Sequence, residues 1–135
     1  SVTGVQSVLF RSPDTYAEIC KKNGMAYCIS EVHSMPLLDP HEVQTAASVL
    51  QENINQYKCV YLHCTNGLTR CVTVAILYYH LCLGYPIRRS FDMVISKRWR
   101  SEVTELYINE LINRTNSENN TPRKKDSNSY KELTN

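Results

Sequence analysis

Cys59-Val60-Tyr61-Leu62-His63-Cys64-Thr65-Asn66-Gly67-Leu68-Thr69-Arg70, followed by Val72-Thr73-Val74-Ala75-Ile76-Leu77-Tyr78-Tyr79, is the stretch that decides the fold. A short apolar strand delivers a cysteine, five residues including a glycine carry the chain to an arginine, and an apolar helix begins there. Backbone N–H groups wrapped between a strand end and a helix N-terminus point inward and, with the positive end of the helix dipole, form a cup for an oxyanion. The same field stabilises a thiolate at the base of the cup, so Cys64 reads as a nucleophile able to attack phosphorus. Thr65, Asn66, Gly67, Leu68, Thr69 and Arg70 are the expected phosphate-binding residues. The planar fork of Arg70 suits two phosphoryl oxygens, and Gly67 suits a position of positive φ or close approach. His63 is expected to fix the loop from behind. A Cys and an Arg six apart also occur in ordinary cores; strand, glycine and apolar helix coinciding around them single out the cup.

The string His63-Cys64-x5-Arg70 resembles the signature of the cysteine-dependent protein tyrosine phosphatase superfamily, and the run from Gly84-Tyr85-Pro86 to Ser96-Lys97-Arg98 resembles its compact dual-specificity branch. The similarity runs from about Gly4 to Asn113. It implies an α/β domain with a mostly parallel central sheet flanked by helices, and phosphomonoester hydrolysis through a cysteinyl-phosphate intermediate without metal or other cofactor. Phosphorylated proteins are the implied substrates. Members of this branch usually carry further strands before the one placed here near Val5, so the N-terminal strands are expected to be trimmed. A weaker similarity, from Pro13-Asp14-Thr15 through Gly24-Met25-Ala26-Tyr27, is to laforin-like glucan phosphatases. These usually have a second glycine before the loop arginine, where this chain has Thr69, so a phosphoglucan is a secondary expectation.

The length of 135 residues suits one domain with a modest core. A formal charge of +2 gives no argument for nucleic acid as a partner. Six cysteines without CxxC spacing indicate neither a zinc site nor a redox pair of the thioredoxin type, and a reducing compartment, cytoplasmic or nuclear, fits them best, with the cytoplasm expected. No apolar run reaches membrane-spanning length, so no membrane partner is expected; the longest, 72–83, reads as a helix buried in the core.

In chain order, 5–10 reads as a strand, and Ser12-Pro13-Asp14 opens a helix that ends at Asn23-Gly24. A second strand follows over 25–29, then a loop to Leu38. Asp39-Pro40-His41-Glu42 opens a helix with a cap, a proline at its first position and a capping-box glutamate; Val43, Ala46, Ala47, Leu50 and Ile54 mark its buried face. The strand 59–62 lacks polar alternation and is expected at the centre of the sheet, covered on both faces. One helix is expected over 71–83 with Gly84 after it. Ile87, Phe91, Val94 and Ile95 mark another, and Val103, Leu106, Tyr107 and Leu111 the last, capped by Ser101. The domain is expected over 1–114, with a disordered polar tail over 115–135.

The chemistry also needs a proton donor for the leaving oxygen. The resembled family takes an aspartate from the loop that here runs Ser30-Glu31-Val32-His33-Ser34-Met35-Pro36-Leu37-Leu38-Asp39. Its one aspartate, Asp39, suits the helix cap, so the candidates are Glu31, then Asp39, then His33. Cys71 stands where the family usually has a serine or threonine whose hydroxyl helps the nucleophile leave. A thiol is a weaker donor, so breakdown of the intermediate is expected to be slow, or Cys71 to pair with Cys64 on oxidation. Arg88, Arg89, Lys97, Arg98 and Arg100 can form a basic rim for a polyanion. These departures keep a second reading open, a weak phosphatase-like protein that binds phosphorylated partners; a sulfur-transfer or arsenate-reducing domain is a third.

Overall fold

The computed structural model describes residues 2–6, 13–33 and 37–120. Three strands, β1 (Val2–Gln6), β2 (Ala26–Ile29) and β3 (Cys59–His63), form a wholly parallel sheet in the order β2-β1-β3. The chain steps one way from β1 to β2 and the other way from β2 to β3. Right-handed crossovers therefore put the intervening helices, α1 (Pro13–Lys22) and α2 (Pro40–Gln56), on opposite faces. Then come α3 (Arg70–Leu77), a π-helical turn (Tyr78–Cys82), α4 (Ile87–Ile95) and α5 (Glu105–Asn120). No helix among the described residues is long and apolar enough to cross a membrane.

The register of β1 places the site. Gln6 pairs with Ile29 on one side and with His63 on the other, so β2 and β3 finish level. The loop that starts at Ser30 and the loop that starts at Cys64 leave the same carboxyl edge of the sheet. They start two strand spacings apart, about 10 Å.

The core joins Val32 and Leu38 to Val43, Ala46, Ala47 and Leu50 of α2, to Val72, Val74, Ile76 and Leu77 of α3, and to Val103, Ile108 and Leu111. Both ends of the loop before α2 are thus nailed into the core through Val32 and Leu38. Arg114 of α5 adds a hydrogen bond to the Leu38 carbonyl at 3.1 Å. Asp39 caps α2 as its sequence indicates, its carboxylate accepting the His41 N–H at 2.8 Å.

Several expectations change. The first strand lies at Val2–Gln6; positions 7–10, and Ser12 as the cap of α1, fall outside the described residues. β3 is an edge of the described sheet, because β1 pairs between it and β2, and Tyr61 on it is 64% exposed. Ile54 is exposed where a buried face was expected. The helix expected over 71–83 is α-helical only to Leu77 and then widens, with Leu83 N–H bonded to the Tyr78 carbonyl. Its end is solvated, with Leu81 and Leu83 exposed, and Gly84 follows at φ 76°. Glu42 does not serve a capping box; its carboxylate takes both the backbone and the ring of His33. The hydroxyl of Thr104, not of Ser101, accepts an N–H from the first turn of α5, that of Tyr107, at 3.2 Å. The buried face of α5 is Ile108, Leu111 and Thr115, with Leu106 turned to solvent. The helix runs to Asn120 and Thr115 is buried, so the fold extends past 114 and the expected tail is corrected over 115–120.

Ile108→Ala should cost about 2–5 kcal/mol in urea unfolding, as for a buried aliphatic side chain, while Leu106→Ala should stay within about 0.5 kcal/mol. Equal losses would refute this assignment of the helix face.

Candidate functional site

β3 ends at His63, whose ring packs on Tyr61 (centroids 5.3 Å apart) and on Tyr16 of α1 (6.4 Å). Aromatic packing thus holds the residue before Cys64. Cys64 follows and is buried. Its sulfur accepts the Gly67 N–H at 3.3 Å, and the Cys71 sulfur, at the start of α3, lies 3.4 Å from it. Gly67 has φ 68°, the left-handed region that bends the loop back over the sulfur. A Cβ there would also come within 2.5 Å of the Arg98 guanidinium.

What shapes the cup is the direction of its carbonyls. The Gly67 carbonyl accepts Arg98 Nε–H at 3.1 Å. The Leu68 carbonyl accepts the Ser101 hydroxyl at 3.1 Å and the Glu102 N–H at 3.2 Å. The Thr69 carbonyl accepts both the N–H and the hydroxyl of Thr73 at 2.8 Å. Peptide planes are rigid and trans, so a carbonyl turned outward turns the next N–H inward. The N–H groups of Leu68, Thr69 and Arg70 are thereby aimed into the cup at the N-terminus of α3, where the helix dipole adds its positive end.

This setting decides the charge on the two thiols. The Cys64 thiol is pulled down to about 4, first by the hydrogen bond from Cys71, then by the N–H groups of Cys71 and Gly67 and the field of Arg70, against the opposing effect of burial. Cys71 is pushed up, by its bond to Cys64, by burial and by the Cys64 charge. Cys64 is therefore the thiolate and Cys71 the protonated donor.

The other sequence candidates are distributed unequally. Thr65, Asn66 and Gly67 share with Cys64, Cys71, Lys97 and Arg98 a cleft of about 530 Å³ that runs along the outer edge of β3 between α3 and α4. Leu68, Thr69 and Arg70 do not line that cleft. Glu31 is exposed, flanked by buried Ser30 and Val32. His33, two residues on, donates from Nδ1 to Glu42 at 2.8 Å and gives its backbone N–H to the same carboxylate at 2.9 Å. That pairing raises the His33 imidazole. Asp39 is engaged at the helix cap. The five basic residues do not make one rim. Arg88 pairs with Asp92 at 3.2 Å and Glu105 at 3.1 Å, Arg89 lies over Tyr85 and Arg100 over Trp99, while Lys97 and Arg98 face the cleft. Sequence reading did not find Arg98, Ser101 and Thr73 as loop braces; their partners are backbone carbonyls, which leave no mark in the side-chain pattern. No group of three metal-ligating side chains occurs among the described residues.

No protein-family model matches the sequence, and no curated protein matches it. Solved structures do. Tk-PTP in its active form superposes with TM-score 0.65 at 19% identity, over 86% of this chain and 78% of that one. Human DUSP28 gives 0.63 at 16%, over 87% and 80%. The Yvh1 phosphatase domain from Chaetomium thermophilum gives 0.61 at 15%, over 88% and 81%. The chain has the fold of the dual-specificity branch of the protein tyrosine phosphatases.

Alkylation of Cys64 by iodoacetamide, followed by peptide mass spectrometry, should rise with pH around a midpoint of about 4 and be level above it. Cys71→Ala should move the midpoint upward, and further than Arg70→Met, because the Cys71 hydrogen bond is the larger influence. A wild-type midpoint near the ordinary thiol value would refute the assignment of charge.

Proposed function

We propose that this chain is a dual-specificity-type phosphatase that hydrolyses phosphomonoesters on proteins through a cysteinyl-phosphate intermediate. The observation that carries the reading is the buried Cys64 sulfur at the N-terminus of α3, accepting the Gly67 N–H at 3.3 Å with the Cys71 sulfur 3.4 Å away. The Cys64 thiolate attacks phosphorus in line with the ester oxygen; the S–P bond forms as the P–O bond breaks. The cup N–H groups from Thr65 to Arg70 and the Arg70 guanidinium stabilise the charge on the transferring oxygens.

Glu31 is our choice for the acid that protonates the leaving oxygen. It lies two residues beyond Ile29, on the sheet edge that carries Cys64, and is fixed between buried neighbours. Asp39 ranks second because its carboxylate holds the helix start, and His33 third because Glu42 engages it. As a carboxylate, Glu31 then takes a proton from the water that attacks phosphorus and releases Cys64. Cys71 donates to that departing thiolate, more weakly than a hydroxyl would, which makes this second step the slow one. Six free thiols fit a reducing, cytoplasmic place of action. Phosphorylated proteins are favoured over a phosphoglucan because Thr69 stands where a glycine is usual in the glucan enzymes. The thiol at position 71 and a glutamate in place of the aspartate favour one other reading, a binder of phosphorylated partners with little turnover.

The purified chain should hydrolyse an aryl phosphate in a vanadate-sensitive way, and Cys64→Ser should abolish this. Phosphopeptide binding without turnover at any pH would replace the enzyme with the binder. Glu31→Gln should slow an alkyl phosphate about 100-fold and an aryl phosphate, whose leaving group needs little protonation, far less; an equal effect on both would remove Glu31 from the role. Cys71→Ser should raise kcat by up to about tenfold, the worth of ~1.4 kcal/mol, and leave kcat/KM nearly unchanged. An unchanged kcat would place the slow step elsewhere.

A further inference from the structure

We infer that Trp99 and Arg100 set specificity: together they take an aspartate or glutamate side chain that stands roughly two to four residues from the phosphorylated one. The inference rests on the reading of the Cys64 site as one for phosphorylated proteins, whether they are turned over or only bound.

The two residues form the corner of a turn. The Ser101 N–H bonds to the Arg98 carbonyl at 3.0 Å, which leaves Trp99 and Arg100 in the middle. Both ends of the turn are fastened to the phosphate loop, Arg98 to the Gly67 carbonyl at 3.1 Å and the Ser101 hydroxyl to the Leu68 carbonyl at 3.1 Å. The Glu102 N–H adds a further bond to the Leu68 carbonyl at 3.2 Å. The corner is thus carried by the loop and keeps its distance from it. Each corner residue is one Cα step, about 3.8 Å, from a residue that grips the loop. An extended peptide advances about 3.3 Å per residue. A chain with its phosphate in the cup therefore brings a side chain a few places away past the corner.

The chemistry of the corner says what that side chain is. Trp99 is 75% exposed, although an indole is among the largest apolar groups a chain can bury. The Arg100 guanidinium lies 4.8 Å from its centroid and covers one face. A guanidinium stacked in this way has its N–H edge free for a carboxylate, and the stack already holds it in place, so little freedom is lost when the anion arrives. Among the described residues no carboxylate takes that edge. Arg88 is held by Asp92 and Glu105, while Lys97, Arg98 and Arg100 make no ion pair. The corner is cationic and unneutralised, which complements an acidic side chain, and the open indole face can pack on the backbone and methylenes beside it. A bilayer is the poorer match, because the one ring it could bury carries a stacked charge.

Trp99 is the one tryptophan of the chain, so its emission reports on the corner alone. The full chain carrying Cys64→Ser, which does not turn its ligand over, is titrated with two tryptophan-free phosphopeptides. One has glutamate at the second and third places on both sides of the phosphotyrosine, and the other has alanine there. The glutamate peptide should bind about fivefold more tightly and change the indole emission, which the alanine peptide should leave nearly as it was. Adding Arg100→Ala or Trp99→Ala should remove the difference in affinity, measured by calorimetry. A substitution that merely loosens the loop weakens both peptides alike and keeps their ratio. The inference is overturned by equal affinities before these substitutions, by a ratio that survives both of them, or by binding of neither peptide. It is also overturned if phosphatidylserine vesicles change the emission and the glutamate peptide does not, which would make the corner a membrane contact. Turnover is judged separately on the protein with Cys64 intact. Hydrolysis of an aryl phosphate without the glutamate preference sinks this inference and leaves the enzyme; the preference without hydrolysis upholds it and leaves a binder.

Discussion

Everything the site can do depends on where three carbonyl groups point. Those of Gly67, Leu68 and Thr69 are held outward by Arg98, by Ser101 with Glu102, and by Thr73. A loop free of these bonds could turn its carbonyl dipoles toward Cys64, and the site would then repel an oxyanion. The braces come from three separate stretches, the first turns of α3 and the two sides of the connection between α4 and α5. The helices after the loop therefore do more than cover a core: their connection sets the polarity of the cup. The burial of Val103 next to Ser101 and Glu102 ties that connection into the core, so packing energy is converted into electrostatic direction.

The pair of thiols is the second consequence of this polarity. Two sulfurs in contact cannot both be charged, and the loop decides which one is: the N–H groups of Gly67 and Cys71 and the field of Arg70 favour charge on Cys64, and that charge disfavours one on Cys71. Among the basic residues charge is sorted in the same local way. Arg88 is neutralised by two carboxylates and Arg100 lies on Trp99, which leaves Lys97 and Arg98 beside the cleft.

Features fixed by nearest neighbours along the chain were legible in the sequence. The strand, glycine and helix around Cys64, the proline and aspartate that open α2, and the glycine turns at 24 and 84 are all of this kind. Features that depend on which distant group wins a competition were not. Glu42 stands where a capping box would use it, yet His33 offers it two donors at once. Ser101 has the look of a cap, yet Leu68 claims its hydroxyl. In α5 the periodicity allows either of two adjacent faces, and contact with the rest of the core selects Ile108 over Leu106. The apolar run of β3 is consistent with a central strand, but strand order is set by which partners β1 accepts.

The register of β1 bears on how this protein is made. Val2 pairs with Cys59 and Gln6 with both Ile29 and His63, so the sheet closes only after a long span of chain has been synthesised and searched. Parallel, non-local pairing of this kind has a large loop-closure entropy and forms slowly. The loops that bear Glu31 and Cys64 meet only because β1 lies between their strands. A chain that has built its helices but not seated β1 would hold the Cys64 loop out of register with the loop that bears Glu31. Alignment of the two loops in this domain therefore depends on β1 lying between the other two strands.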